Sequence, residues 1–204
     1  MRKKIIIACV ILLPVIAYLG LRSNKSSDTD EYKESVLSKR LEKEDYLKTS
    51  ASSPFANEKE KYKDLVYFPI DEKYKVKAKV KKFEELVYVN VGQSNGTSER
   101  YLKYATLSFV IDETDMELVV LKPAGFGQMN VLFTAFADET SSEETYGGGR
   151  YLDLDFKNAD TIDLDFNLAY NPYCAYNEDF SCPLPPRENL LPIRIEAGEK
   201  KFHD

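Results

Sequence analysis

The sequence predicts a mainly β protein: a single antiparallel β-sandwich or barrel-like domain, preceded by an N-terminal membrane anchor helix and an amphipathic helix. Three observations carry this. From Leu65 onward apolar and polar residues alternate with a period of two. Only the stretch from Thr29 to Lys48 keeps a helical period, and one long uncharged run stands near the N-terminus.

The anchor comes first. Arg2-Lys3-Lys4 precede an uncharged run from Ile5 to Leu21. As a helix that run rises roughly 25 Å, the length of a short bilayer span. Neither Ala17-Tyr18-Leu19 nor Tyr18-Leu19-Gly20 has the small-x-small pattern of a cleavage site, which favours an uncleaved signal anchor over a cleaved signal peptide. Ile6-Ile7-Ala8-Cys9 has the outline of a lipobox, but the apolar run continues past Cys9, so this thiol reads as membrane-buried. The basic residues in front favour the N-terminus inside. The expectation is a single-pass cell-membrane protein that meets the membrane through residues 5–21, with its domain on the extracytoplasmic (periplasmic) side. Residues 1–22 are then the signal anchor, 23–52 a polar linker and amphipathic helix, and 53–204 the β domain.

The helix is read from Tyr32, Val36, Leu37, Leu41, Tyr46 and Leu47, spaced along one face with Lys and Glu between. Asp28, Thr29 or Asp30 can cap it, and Glu31 and Glu34 suit its positive first turn. The serines of 50–53, with Pro54, end it.

Strands follow. Tyr74, Val76, Ala78 and Val80 alternate with Lys75, Lys77, Lys79 and Lys81, giving one buried and one solvated face. Residues 86–91, 101–111, 116–121 and 131–136 are rich in Val, Leu, Phe and Tyr. Ser94-Asn95-Gly96, Asp112 to Asp115, and Pro123-Ala124-Gly125 are turn signals between them. Roughly seven to nine short strands are expected, in a sandwich or a barrel.

Charge excludes one class of partner. Of 28 basic residues five lie in the first 25 positions, where there are no acids; the remaining 23 stand against 34 acidic residues, a net charge near −11. Nucleic acid phosphates demand a basic face, so no nucleic-acid partner is expected. The same sign argues against docking of the globular part on anionic lipid.

Leu152-Asp153-Leu154-Asp155-Phe156 returns ten residues on as Ile162-Asp163-Leu164-Asp165-Phe166. Each puts apolar residues on one face and Asp on the other. Pairing them as a hairpin, Phe156 with Ile162, keeps like faces together but sets Asp155 opposite Asp163 and Asp153 opposite Asp165. Like charges directly opposite are destabilising. Twist on a solvated face, Arg150, a Lys, hydrogen bonds, or a hard cation such as Ca²⁺ could relieve them. The spacing matches no EF-hand loop.

The segment leading into that hairpin, Glu144-Thr145-Tyr146-Gly147-Gly148-Gly149-Arg150, lacks the features of a phosphate loop: no GK[ST] follows and no GxGxxG opens a helix. Arg150 could clamp a carboxylate or phosphate, or pair internally with Glu144 or Asp165. From Thr161 to Pro186 the chain has no Lys or Arg, and after Asn167 it crowds Tyr, Phe, Cys and Pro together. A loop so composed must be pinned by its own contacts. Cys174 and Cys182 are a candidate disulfide in an oxidising compartment, with two free buried thiols as the alternative. The sole His, His203, lies in the tail, so neither a zinc site nor a Cys–His nucleophile is supported; no metal and no cofactor are expected. Tyr146, Tyr151, Tyr170, Tyr173 and Tyr176 could stack on a sugar or other flat ligand, or serve as core.

ETYGGGRYLDLD, DFNLAYNPYCAYNEDFSCPLPP and ENLLPIRIEAGE resemble DUF1684, a bacterial and archaeal family of unknown function, over roughly Ser53 to Phe202. The resemblance implies a single domain with no assigned activity. Its recurring positions fall here on Glu144, Tyr146, Arg150, Asp165, Asn167, Tyr170, Asn171, Cys174, Tyr176, Cys182 and Asn189, among others. With Asp153, the candidate ligand-binding residues are then Glu144, Tyr146, Arg150, Asp165, Asn167, Tyr170, Asn171 and Tyr176. Three functions stay open: an envelope binding or accessory module, a structural module pinned by its own loops, and a hydrolase that uses Glu144, Asp153 or Asp165 with Arg150. Whether it is an enzyme is left open by the sequence.

Overall fold

A computed structural model describes residues 28–124, 131–155 and 159–203. The anchor expected over 1–22, the start of the linker, Gly125 of the third turn and Phe156 of the expected hairpin lie outside the described residues. Among the described residues no helix is long and apolar enough to cross a membrane. The chain divides into two compact units, Met1–Lys39 and Arg40–Asp204. In the first, the described residues 28–39 are helical throughout.

The second unit opens with helical residues 40–49, so the stop falls where the serine run predicts it. Ser53 closes the end. Its hydroxyl donates to the Leu47 carbonyl (2.6 Å) and accepts from the Phe55 amide (3.1 Å), which satisfies a terminal carbonyl that has no intrahelical partner. Leu47, Phe55 and Tyr176 then form a small buried cluster of their own.

Among the described residues six strands follow: β1 (Lys75–Gly92), β2 (Ser98–Ile111), β3 (Thr114–Pro123), β4 (Leu132–Phe136), β5 (Arg150–Leu154) and β6 (Thr161–Asp165). They make one antiparallel sheet in the order β5-β4-β3-β2-β1-β6, curled into a half-barrel. It is neither a two-sheet sandwich nor a closed barrel. Fewer strands are found than the turn signals suggested because two expected segments, 74–81 and 86–91, are one strand. Its register to β2 breaks between Lys82 and Val87, leaving 83–86 opposite Tyr104 alone. The β2–β3 register breaks at the same level, between Lys103 and Ala105. Extra residues on one strand bend it and increase its twist, and here the breaks line up across adjacent strands. The β2–β3 hairpin turns on Asp112 and Glu113, with φ of 47° and 61° between the paired Ile111 and Thr114. That is the two-residue geometry whose twist matches the flanking strands.

The sheet is buried on both faces at its centre. Ala105, Leu107, Phe109, Leu118, Val120, Leu152 and Leu164 point into the larger core with Phe136, Phe166 and Ile195. Val119, Leu121, Phe133, Ala135 and Tyr151 point the other way, into a second core closed by Cys174 and Cys182 with Tyr170, Tyr173 and Phe180 against it. Successive side chains of a strand face opposite sides, so the unbroken apolar run 118–121 follows from β3 being covered on both. Each such Leu or Phe contributes about 1.5–3 kcal/mol.

The acidic hairpin does not form. β5 pairs with β4, which sets Asp153 opposite Phe133, and β6 pairs with β1, which sets Asp163 opposite Lys77 and Asp165 opposite Lys75. Lys77 Nζ lies 2.6 Å from Asp163. The alternating Lys face of β1 answers the alternating Asp face of β6, whereas the hairpin would have set Asp against Asp. The two acidic strands instead occupy the two edges of the sheet. Asp153, Leu154 and Asp155 line one wall of an open groove; Thr161, Ile162 and Asp163 line the other.

Candidate functional site

Arg150 opens β5 and turns inward. It is 1% exposed. Its Nη2 donates to Asp138 (2.7 Å) and to the Ile195 carbonyl (2.9 Å), and its Nη1 to the Ala197 carbonyl. Asp138 also accepts from the Thr140 amide (2.8 Å) and hydroxyl (2.7 Å) and from the Ile195 amide (3.2 Å). Burial lowers the pKa of the guanidinium, and Asp138 acts against that. The internal partner is therefore Asp138, and neither Glu144 nor Asp165. Asp138 comes from a stretch that the sequence pattern left unmarked. Gly149 lets Arg150 reach this position: its φ is +84°, and a Cβ there would stand 2.6 Å from the Phe136 carbonyl oxygen. Glu144 is at the surface, paired with Arg194 and with Lys200 (3.4 Å). Glu144 and Arg150 thus serve separate places.

A second buried carboxylate, Glu199, gathers the motif's later residues. Fully buried, it accepts from Tyr176 (2.5 Å), from Asn171 Nδ2 (2.8 Å) and amide (3.2 Å), and from Lys43 Nζ (2.9 Å). Desolvation pulls the Lys43 pKa down, although Glu199 opposes it. Desolvation, then Glu199, pushes Tyr176 well up. Glu199 sits one residue past Gly198, whose φ is +76°. Lys43 lies on the helix, where it read as one more solvated position between the apolar ones.

Asn167 and Asn189 act as stitches. Asn167 accepts from the Asp71 amide (3.0 Å) and donates to the Asp71 carbonyl (2.8 Å), while Asp165 accepts from its amide (3.0 Å) and its side chain (3.1 Å). Asn189 accepts from the Val119 amide (2.7 Å) and donates to the carbonyls of Val119 (3.0 Å) and Ala135 (2.8 Å). β3 and β4 share only the Leu121–Phe133 pair, so this side chain supplies hydrogen bonds where their ladder stops.

Where a disulfide was expected, Cys174 and Cys182 are two free buried thiols side by side. The Cys174 amide donates to Cys182 Sγ (3.2 Å), and the Tyr146 hydroxyl donates to Cys174 Sγ (3.7 Å). The hydrogen bond from Cys182 brings the Cys174 pKa down to about 6. That bond, then burial, pushes Cys182 up. Burial, then the contact with Cys174, raises Tyr146 to about 12.

Of the candidate residues Asp153 lines the groove. The Tyr170 hydroxyl donates to the exposed Asp153 (2.7 Å), and Lys43 Nζ stands 4.2 Å from the centre of the Tyr170 ring. Main-chain bonds between Tyr151 and Tyr170, 2.8 and 3.1 Å, hold the ring in place. Beside it the Tyr173 hydroxyl donates to that of Tyr46 (2.9 Å). Of the candidate residues, then, Arg150, Asn167, Asn171 and Tyr176 face inward, Asp153 lines the groove and accepts from the core-packed Tyr170, Glu144 and Tyr146 stand apart from them, and Asp165 caps its own turn. Among the described residues no cluster of three His, Cys, Asp or Glu is placed to hold a metal ion.

A family described as "Protein of unknown function (DUF1684)" matches residues 60–200. The chain is 37% identical to an uncharacterized protein of Haloarcula marismortui solved by NMR in solution, with a TM-score of 0.66 over 85% of this chain and 96% of that one. No curated protein matches.

Proposed function

The chain belongs to the DUF1684 family, and we propose that it is a ligand-binding module of the cell envelope that takes its ligand at the groove between β5 and β6. In this reading residues 5–21 anchor the chain and the domain lies outside the membrane. The observation that carries it is Asp153 in a concave wall, held from behind by the Tyr170 hydroxyl. It offers a carboxylate whose position the Tyr170 phenol fixes before any ligand arrives, a feature of preorganised small-ligand sites. A polar ligand bearing hydroxyls or an amine fits, because Asp153 accepts hydrogen bonds and carries charge.

The test is thermal unfolding against sugars, amines, divalent cations and small carboxylates. At a hundred times its dissociation constant a ligand adds about 2.7 kcal/mol of stability. The expected result is a raised midpoint with one class of sugars or amines, lost in Asp153→Asn and in Tyr170→Ala. A second reading, a structural module, is favoured by the inward-facing Arg150, Asn171 and Tyr176. No shift with any ligand would decide for it.

A further inference from the structure

β6 covers only the first part of β1. Their register ends at Lys79–Thr161, and the Val80 amide still bonds to the Asp160 carbonyl (2.9 Å). At the far end the Gly92 carbonyl accepts from the Leu184 amide (2.8 Å). Between them β1 has no strand on its outer side among the described residues, and 81–88 are exposed throughout. This is where residues 83–86 leave the register with β2. Phe83 is 38% exposed, Leu86 72% and Tyr88 44%. A long exposed edge carrying large apolar side chains is a template for pairing with another strand.

We propose that this edge pairs with the same edge of a second copy. The sequence Lys81-Lys82-Phe83-Glu84-Glu85 is complementary to itself when run antiparallel. Centred on Phe83, the pairing sets Lys81 opposite Glu85 and Lys82 opposite Glu84, and places the two Phe83 rings together. A two-fold axis repeats each contact, as an isologous interface requires. Opposite residues of an antiparallel pair lie on the same face, 4.5–5.5 Å apart at Cβ by the general geometry, so the charges meet directly. Lys82 Nζ also stands 5.6 Å from the Tyr104 ring of its own chain; Lys81 and Glu85 carry the specificity.

The test uses the full chain in detergent micelles, as an equal mixture of ¹⁴N- and ¹⁵N-labelled copies. A carbodiimide joins amines to carboxylates only where they touch. The expected product is a mixed-isotope crosslink between Lys81 and Glu85. Lys81→Glu alone and Glu85→Lys alone each put like charges opposite, and dimer formation should fall about tenfold or more. Mixing those two variants makes every opposite pair complementary again and should restore the dimer as a heterodimer. Both substitutions lie on exposed residues, so folding is untouched. A monomer at all concentrations, or a dimer unchanged by both reversals, would overturn the proposal, as would a crosslink found only within one isotopic copy.

Discussion

Arg150–Asp138 and Lys77–Asp163 are ion pairs of nearly equal length, 2.7 and 2.6 Å, in opposite surroundings. The first is buried between β5 and the segment that carries Ile195 and Ala197, and each partner has further hydrogen bonds. The second lies on the outer face of the sheet, with Lys77 at 73% side-chain exposure. Distance does not rank them; desolvation does. A buried charge whose partner is removed is left without water to replace it, whereas an exposed one simply rehydrates. The sheet's charged residues therefore divide into a buried set that holds the segment of Ile195 and Ala197 to β5 and an exposed set along the border of β1 and β6.

The largest effect should come from breaking the buried pair. Arg150→Ala leaves Asp138 ionised in the interior and strips the carbonyls of Ile195 and Ala197 of their donor. A loss of about 3–5 kcal/mol is expected by urea denaturation, enough to unfold a marginal domain. A loss below about 1 kcal/mol would show that water reaches Asp138 and would erase the contrast. Gly149→Ala approaches the same pair from the backbone. Its φ of +84° and the nearby Phe136 carbonyl oxygen should cost about 1–3 kcal/mol, measured the same way. The same change at Gly92, where a Cβ meets nothing within 4 Å, should cost far less.

Buried tyrosines sharpen the comparison by pH. Tyr170 and Tyr176 are raised well above 10.0, mainly by burial. Raised groups stabilise the fold fully below their unfolded value and lose that contribution as pH rises through the folded one. Stability should thus fall from pH 10 upward, by about 1.4 kcal/mol per unit for each such tyrosine. Lys43, lowered by burial, works in the opposite direction up to its unfolded value of 10.5. Urea midpoints at successive pH values should fall less steeply in Tyr176→Phe. An equal slope would place that phenol in contact with solvent.

Much of this was legible in the sequence, for a physical reason. Period-two alternation reports which face of a strand meets water, so Lys75 to Val80, Leu152 to Asp155 and Ile162 to Asp165 were placed correctly as strands with correct faces. What alternation does not report is the neighbour. Two similar acidic segments separated by a short loop suggest a hairpin, and only the charge conflict between Asp155 and Asp163 argued against it. The Lys face of β1 was equally visible, but nothing local joins it to a segment more than 80 residues away. The buried pins were harder. Arg150 and Asn171 stood out through their surroundings, yet Asp138, Lys43 and Glu199 look like ordinary surface charges until the fold closes over them. The two cysteines were visible as a pair; their spacing alone does not decide between a bond and two thiols.

The smallest expected effect tests the outer set most directly. Lys77→Ala removes the partner of Asp163 where water can replace it, so the change in stability should stay within about 0.5 kcal/mol. If that pair nevertheless helps to select the neighbour of β1, its influence lies in discrimination between arrangements and not in the energy of the correct one. Reversing Lys75, Lys77 and Lys79 to Glu would set like charges opposite at two positions of the β1–β6 border, where Asp165 and Asp163 answer the first two and Thr161 the third. Like pairs directly opposite cost as much as unlike pairs contribute, roughly 0.2–1 kcal/mol each. Hydrogen exchange at the β6 amides should then speed up while β4 and β5 stay protected, because β6 borders β1 alone. Uniform loss of protection would mean that the border is part of the cooperative core, and that the outer charges matter as much as the buried ones.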